Sequence, residues 1–229
     1  MHVFVTGASG YIGGTVAVRL LRAGHHVSGL TRDPAKARQL TRLGIEPVVG
    51  SLDDADLLAA RARRADAVVN AADSDHRAAV ETLIAALAGS GKALIHTSGS
   101  STVGIGTEGE ASEAIHDEDV LDPGSAWEPD HPVRAARVAI DRLVLGAAER
   151  EVRSAVLCDS LIYGQGRGPG RDSVLIAALV RQARAAGVVR QVGPGRNISA
   201  PAASGCSAAI SALVPDGTPS PTAQTTPPR

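Results

Sequence analysis

The stretch MHVFVTGASGYIGG (residues 1–14) decides the fold of this chain. Its apolar run HVFVT predicts a short β-strand, and the apolar residues of 11–23 recur at helical spacing. Between the two, Gly7, Gly10 and Gly13 stand at intervals of three. A strand, a glycine turn and a helix in this order predict the first strand–helix unit of a parallel sheet.

The same alternation of strand and helix continues along the chain. Nearly all-apolar strands are typical of a parallel sheet that helices cover on both faces. Because such crossovers are right-handed, the pattern predicts an α/β fold with a doubly wound, Rossmann-like parallel sheet. The further predicted strands are 26–30, 46–50, 65–72, 93–98 and 153–158, and the further predicted helices are 33–42, 53–63, 75–89, 131–150 and 173–186, with Asp33 and Asp53 as caps of the first two of these helices.

Composition restricts the classes of partner. The 229 residues carry a net charge of −1, so there is no electrostatic case for nucleic acid or for an anionic membrane. Only two cysteines are present, which favours a cytoplasmic protein without a disulfide framework, and neither a secretory signal nor a membrane span is apparent. We expect no metal site, because the adjacent residues of HDED (116–119) offer a poor ligand geometry.

The composition changes near residue 197. From there to 229 the chain is dominated by Ala, Pro, Ser and Thr, with Asp216 and Arg229 as the charged residues, and periodicity disappears. Such a segment cannot build a core. We therefore expect one nucleotide-binding domain over 1–196 and a truncated or disordered C-terminal part over 197–229.

The glycine turn predicts a ligand. Glycines let the backbone approach closely and aim free N–H groups, with the helix dipole, at a pyrophosphate above the helix N-terminus. The spacing G-x-x-G-x-x-G resembles the dinucleotide-binding fingerprint, and its place between strand and helix favours dinucleotide binding over a purely structural turn.

Several stretches together resemble the extended and atypical short-chain dehydrogenases/reductases, the NAD(P)-dependent epimerase/dehydratase family, over residues 1–196. They are TGASGYIGG (6–14), GSLDD (50–54), NAA (70–72), HTSGSSTVG (96–104) and LIYGQGRG (161–168). The resemblance implies NAD or NADP as cofactor. It places the cofactor contacts on Gly7, Ser9, Gly10, Tyr11, Ile12, Gly13, Arg32, Asp53, Ala71, Ala72, Thr97 and Arg137.

The end of the second strand bears on the choice of cofactor. An acidic residue there holds the ribose 2′-hydroxyl of NAD, whereas an arginine accommodates the 2′-phosphate of NADP. This chain has Thr31 at the position of the acid and Arg32 next to it. NADP is therefore the preferred cofactor, unless Arg32 is only a surface residue.

The resemblance also identifies what the chain lacks. In the family, a tyrosine acts as general acid/base and a lysine four residues later holds the nicotinamide ribose. These positions fall on Val133 and Arg137. Arginine can hydrogen-bond a ribose hydroxyl, but valine can do no proton chemistry. The family's Ser or Thr that binds the substrate oxygen corresponds to Ser98 or Ser101.

Two side chains, besides water, are candidates to replace the family's tyrosine as proton donor. His131 is able to titrate near neutral pH, but it is also a typical residue near a helix start. Tyr163 borders the expected nicotinamide position, although a tyrosine there is commonly structural in the family. The main functional hypothesis is an oxidoreductase that moves a hydride between the cofactor and a small carbonyl or alcohol. A non-catalytic NADP-binding sensor or scaffold and a truncated inactive relative are the alternatives, and a homodimer is expected from the wide apolar surface of helix 131–150.

Overall fold

The computed structural model describes residues 1–122 and 124–197 and the backbone of 201–203. The described residues form eight strands and six α-helices, which alternate from the first strand to the sixth. The strands are β1 His2–Thr6, β2 His26–Thr31, β3 Glu46–Val49, β4 Ala67–Asn70, β5 Ala93–Gly99, β6 Arg153–Asp159, β7 Leu161–Tyr163 and β8 Pro201–Ala203. The helices are α1 Tyr11–Arg22, α2 Pro34–Arg42, α3 Ala55–Arg64, α4 Arg77–Leu87, α5 Pro132–Gly146 and α6 Val174–Ala186.

Six of the strands form one parallel sheet in the order β3-β2-β1-β4-β5-β6. The chain winds outward from β1 to β3, then returns to place β4 on the other side of β1. This reversal creates a crevice at the carboxyl ends of β1 and β4, which is where doubly wound sheets bind ligands. The predicted fold class is confirmed.

The two faces of the sheet are buried in two separate apolar cores. Residues that alternate along a strand point to opposite faces. Phe4 therefore packs with Leu58 and Leu83 beneath α3, α4 and α5. Its neighbours Val3 and Val5 pack with Val16 and the other buried residues of α1 and α2. Strands covered on both faces explain why the sequence shows nearly continuous apolar runs.

Helix ends agree with the prediction where a local cap decides them. Asp33 caps α2, and its Oδ1 accepts a hydrogen bond from the N–H of Ala35 at 2.7 Å. The predicted cap of α3 is wrong by one residue, because Asp54 occupies the N-cap and the Asp53 carboxylate is instead bound by Ser51. The predicted helix 131–150 ends as an α-helix at Gly146 and continues as a 3₁₀ turn over Ala147–Arg150.

The predicted tail contains one described element. Pro201–Ala203 pair in parallel with β7 in a small second sheet, which the composition did not predict. The rest of the predicted tail, 198–200 and 204–229, lies outside the described residues. No helix within the described ranges is long and apolar enough to cross a bilayer.

Candidate dinucleotide site

A cavity of about 310 Å³ lies at the carboxyl ends of β1, β2, β3 and β4. The crevice at the reversal of strand order thus carries the largest share of the predicted cofactor residues. Of these, the cavity lining includes Gly7, Ser9, Gly10, Arg32, Asp53, Ala71 and Ala72.

The floor of the cavity requires glycine. Gly7 has a φ of +67°, and a Cβ on it would lie 2.4 Å from the carbonyl oxygen of Ala71. A Cβ on Gly13 would lie 2.4 Å from the carbonyl oxygen of Gly7. The first turn of α1 therefore packs directly on the loop after β1, and this loop packs on the loop after β4. Only glycine lets three backbone segments approach so closely.

Five predicted cofactor residues lie away from the cavity lining: Tyr11, Ile12, Gly13, Thr97 and Arg137. Ile12 packs into the core between the sheet and α1, and Gly13 lies against the Gly7 backbone. The hydroxyl of Tyr11 donates to the carbonyl oxygen of Gly164 at 2.8 Å. Thr97 is buried, and its hydroxyl donates to the carbonyl oxygen of Asn70 at 3.1 Å.

A second glycine loop lies over the first turn of α1. A Cβ on Gly170 would lie 2.5 Å from the carbonyl carbon of Gly10, and a Cβ on Gly168 would lie 2.5 Å from Cα of Gly14. The N–H of Arg167 donates to Thr15 Oγ1 at 3.1 Å. The loop after β7 is therefore fixed against α1 by backbone contacts that side chains would prevent.

One wall of the cavity is an aspartate–histidine pair. Asp53 Oδ1 lies 3.1 Å from His76 Nε2, and Asp53 Oδ2 accepts a hydrogen bond from Ser51 Oγ. These hydrogen bonds hold the pKa of Asp53 below its ordinary value. His76 Nδ1 accepts the N–H of Ala79 as the cap of α4, so the ring proton resides on Nε2 and faces Asp53.

His76 was missed at the sequence level. It is the last residue of the loop between the buried strand β4 and α4, and it follows Asp73, Ser74 and Asp75 in that loop. Polar residues at the carboxyl end of a parallel strand are the signal that could have identified it. Thr31, Ser51 and Asp73 also line the cavity.

Arg32 lines the cavity, and the charge of its guanidinium is one of the causes that lower the pKa of Asp53. Within the described ranges, Arg32 has no carboxylate partner within 4 Å and no side-chain hydrogen bond. The neighbouring acid, Asp33, is occupied with the N–H of Ala35. Thr31 Oγ1 donates to Ser9 Oγ at 3.2 Å and so joins the end of β2 to the glycine loop.

None of the five predicted catalytic residues lines the cavity, but two of them, Ser101 and Arg137, lie beside it. Arg137 on α5 forms a two-point salt bridge with Asp75 and donates to Ser101 Oγ at 2.9 Å. Asp75 in turn lies in the loop between the cavity residues Asp73 and His76. Ser101 and Arg137 are therefore brought together at the edge of the cavity.

The other three predicted catalytic residues lie in different surroundings. Ser98 is 7% exposed, and its hydroxyl donates to Asp141 Oδ2 at 2.8 Å. His131 is the N-cap of α5, where its Nδ1 accepts the N–H of Val133 at 3.2 Å. Tyr163 lies on β7 and is exposed. The structure does not bring these residues together with Ser101.

A buried polar chain runs beneath this region. Thr6 Oγ1 donates to Asn70 Oδ1 at 2.5 Å, so the Asn70 amide nitrogen donates to His96 Nδ1 at 3.0 Å. His96 therefore carries its proton on Nε2, which faces Asp141 Oδ1 at 3.7 Å. Ser98 completes the chain from the other side of Asp141.

Burial shifts the pKa values of His96 and Asp141, the two ionisable groups in this series of buried polar side chains. Desolvation lowers the pKa of His96 to about 4. Desolvation also raises the pKa of Asp141 to about 6, although the hydrogen bond from Ser98 and the charge of Arg137 oppose this shift. At neutral pH we therefore expect a neutral imidazole that points its N–H at a carboxylate.

Comparison with known protein families gives a match over most of the chain. Residues 3–198 match the NAD dependent epimerase/dehydratase family. The oxidase ucsJ of an Acremonium species is 37% identical over 212 residues, which are 85% of this chain and 60% of the oxidase. This chain spans 60 to 64% of the lengths of the curated relatives it matches.

Two solved structures share the fold. MoeE5 in complex with UDP-glucuronic acid and NAD is 21% identical, with a TM-score of 0.69 over 95% of this chain and 74% of MoeE5. The UDP-glucose 4-epimerase of Thermus thermophilus, in complex with NAD, is also 21% identical, with a TM-score of 0.68 over 93% of this chain and 74% of the epimerase. The match over residues 3–198 identifies the chain as a member of the NAD dependent epimerase/dehydratase family.

Proposed function

We propose that this chain is an NADP-dependent oxidoreductase of the epimerase/dehydratase type that acts on a small carbonyl or alcohol. One observation carries the proposal: the cavity at the strand-order reversal combines a glycine floor with a guanidinium, that of Arg32, which has no carboxylate partner among the described residues. A nicotinamide dinucleotide bound in complexes of the similar MoeE5 and of the Thermus epimerase supports the cofactor class.

The residues of the cavity fit a dinucleotide. A Cβ on the lining residue Gly7 would lie 2.4 Å from the carbonyl oxygen of Ala71, so this position requires glycine and its backbone remains accessible to a pyrophosphate. Gly7, Ser9 and Gly10 would hold the phosphates, and Asp53 and His76 would border the adenosine.

Arg32 favours NADP over NAD. A 2′-phosphate requires a cation, and Arg32 has none of its donors committed to a carboxylate in the part of the chain that the structure describes. An acid that holds the 2′-hydroxyl of NAD is replaced by Thr31, and Asp33 is engaged in capping α2. A phosphate is therefore the best ligand for the N–H donors of Arg32.

Calorimetric titration with NADP and NAD tests the cofactor proposal. We expect wild type to bind NADP more tightly than NAD. Arg32→Ala should lose about 10- to 100-fold in NADP affinity, the value of a hydrogen bond to a charged group, and leave NAD affinity unchanged. The matched control is Arg38→Ala on the exposed surface of α2, which should bind as wild type does. Unchanged NADP affinity in Arg32→Ala would contradict the preference.

For the reaction itself, bound nicotinamide would supply the hydride chemistry. The chain's own contribution would be Ser101, whose oxygen accepts from Arg137 and whose hydroxyl proton is left to donate to a substrate oxygen. Ser98 is less suited to this role, since its proton is already donated to Asp141. Because valine replaces the tyrosine, the proton would come from water, with His131 committed to its helix cap.

A non-catalytic NADP-binding sensor is the second candidate function. Val133 is 60% exposed at the position of the family's tyrosine, and Asp75 neutralises Arg137. The two candidates differ in turnover. NADPH oxidation with any member of a panel of aldehydes and ketones supports the oxidoreductase, whereas saturable NADPH binding with no oxidation across the panel supports the sensor.

A further inference from the structure

Three ligand-type side chains meet at the end of the sheet opposite the dinucleotide cavity. His2, His26 and Glu46 are the first residues of β1, β2 and β3, whereas the cavity lies at the carboxyl ends of the strands. Strands of this length separate the two ends by roughly 13–20 Å. None of the three side chains therefore lines the cavity.

Register places the three side chains on one face of the sheet. His2 is paired with His26, and Glu46 is paired with Ser28, which lies two residues after His26 and so on the same face. Farther along, the same face carries Phe4 and becomes the apolar core. The cluster is thus the solvent-exposed continuation of a rigid buried surface.

The ligand atoms are already close together. One nitrogen of each histidine and one carboxylate oxygen of Glu46 lie within 4.8 Å of one another. The two imidazole rings are 4.9 Å apart between centroids. His26 Nε2 lies 3.9 Å from Glu46 Oε2.

Neighbouring groups orient two of these side chains. Arg61 donates to Glu46 Oε1 at 2.9 Å, which leaves Oε2 for another partner. His2 Nε2 lies 2.8 Å from Ser28 Oγ, and its Nδ1 lies 3.4 Å from the carbonyl oxygen of Arg64. Whichever nitrogen of His2 binds an ion, the other retains a partner, as in the outer shell of metal sites.

We propose that His2, His26 and Glu46 form a Zn²⁺ site with water as the fourth ligand. Two imidazoles and a carboxylate are a common donor set for zinc, and tetrahedral coordination needs ligand atoms about 3.4 Å apart. Rotation of the His26 and Glu46 side chains, which are 62% and 43% exposed, closes the remaining distance. The ion would tie together the first three strands of the sheet.

The positive charge of Arg61 limits the affinity of this cluster for a zinc ion. Its guanidinium lies beside Glu46 and repels a cation. Because the cluster is open to solvent, this repulsion is screened by water and salt. We therefore expect saturable binding of moderate strength.

Calorimetric titration of the untagged full chain with ZnCl₂ tests the site. Wild type should bind one ion per chain, and His26→Ala and Glu46→Gln should each weaken binding by at least about tenfold. His116→Ala is the control, because it removes a histidine that packs on Trp127 outside the cluster. Replacement of zinc by Co²⁺ should give the visible absorption of a tetrahedral complex in wild type and not in His26→Ala.

No saturable binding to wild type would overturn the proposal. Equal affinity in wild type, His26→Ala and Glu46→Gln would also overturn it, because the ion would then be bound elsewhere. Both substituted side chains are exposed, so the variants should retain the circular dichroism and thermal midpoint of the metal-free protein. The outcome is independent of the dinucleotide titration, since the two sites lie at opposite ends of the sheet.

Discussion

Arg137 on α5 and Asp75 in the loop after β4 form a two-point salt bridge. Nε donates to Oδ1 at 2.7 Å and Nη2 donates to Oδ2 at 2.6 Å. The pair joins α5, on which Val133 occupies the position of the family's tyrosine, to the loop that borders the cavity. The guanidinium holds the pKa of Asp75 below its ordinary value, so the carboxylate is ionised throughout the neutral range.

We expect the Arg137–Asp75 pair to contribute about 0.2–1 kcal/mol to the free energy of unfolding, because Asp75 is 48% exposed. A double-mutant cycle with Arg137→Met and Asp75→Asn measures this coupling. Since the folded pKa of Asp75 is depressed, the coupling should be constant from pH 5 to 8 and should be lost only as pH falls below about 4. A coupling that already disappears at pH 6 would contradict this assignment.

Gly7→Ala should destabilise the chain more than Gly24→Ala. Both glycines have a positive φ, but a Cβ on Gly7 meets Ala71 O at 2.4 Å, whereas a Cβ on Gly24 meets nothing within 4 Å. The control variant therefore carries backbone strain of about 1–2 kcal/mol alone, and Gly7→Ala adds the clash to it. Urea denaturation of both variants gives the comparison. Equal losses would mean that the loop after β4 moves away at no cost.

Asp141→Asn should gain stability relative to wild type as pH rises from about 4 to about 6, and should keep that gain at higher pH. The folded pKa of Asp141, raised to about 6, lies above its ordinary value of 3.8, so wild type loses stability as pH rises between these two values, where the unfolded chain gives up the proton first. Asparagine removes this loss, on the order of 2 kcal/mol, and retains an acceptor for Ser98.

Chemical denaturation at several pH values measures the Asp141 effect. Asp159, whose pKa burial also raises to about 6, is present in both proteins and cancels in the difference. The control is Asp56→Asn at the exposed first turn of α3. A difference between Asp141→Asn and wild type that does not vary with pH would refute the expectation.

His76→Ala should lower the free energy of unfolding by about 0.5–2 kcal/mol, because it removes the cap of α4. His76→Asn should restore most of this loss, since its side-chain oxygen can accept the N–H of Ala79. Thermal unfolding of the two variants checks the order. If the asparagine variant is as unstable as the alanine variant, the contact with Asp53 is the more important one.

The sequence predicted the fold better than the site. Local signals placed the strands of the main sheet, the start of α2 at Asp33 and the end of α1 before Gly24, because periodicity and capping depend on near neighbours. The strand over 201–203 was not predicted, because its partner β7 lies about forty residues earlier in the chain. The predicted cap Asp53 is not the N-cap of α3, because Asp54 occupies that position and the Asp53 carboxylate is bound by Ser51 and His76.

In the site, contacts distant in the sequence decided the surroundings of the predicted residues. Ser98 and Ser101 are three residues apart and look equivalent in the sequence. In the structure, Ser98 donates a hydrogen bond to Asp141, 43 residues away, whereas Ser101 accepts one from Arg137, 36 residues away. Sequence spacing could not distinguish the two serines, because their partners come from another helix.

By itself, the sequence determined a doubly wound sheet with a glycine turn after its first strand. Its resemblance to the family also placed Val133 and Arg137 at the positions of the family's tyrosine and lysine. These features are local, since they depend on side-chain period, glycine and residue identity. Only the tertiary structure decided that Asp75 pairs with Arg137, that His96 faces Asp141, and that His2, His26 and Glu46 meet. The order and register of parallel strands bring these residues together, and both are fixed by packing across the whole sheet.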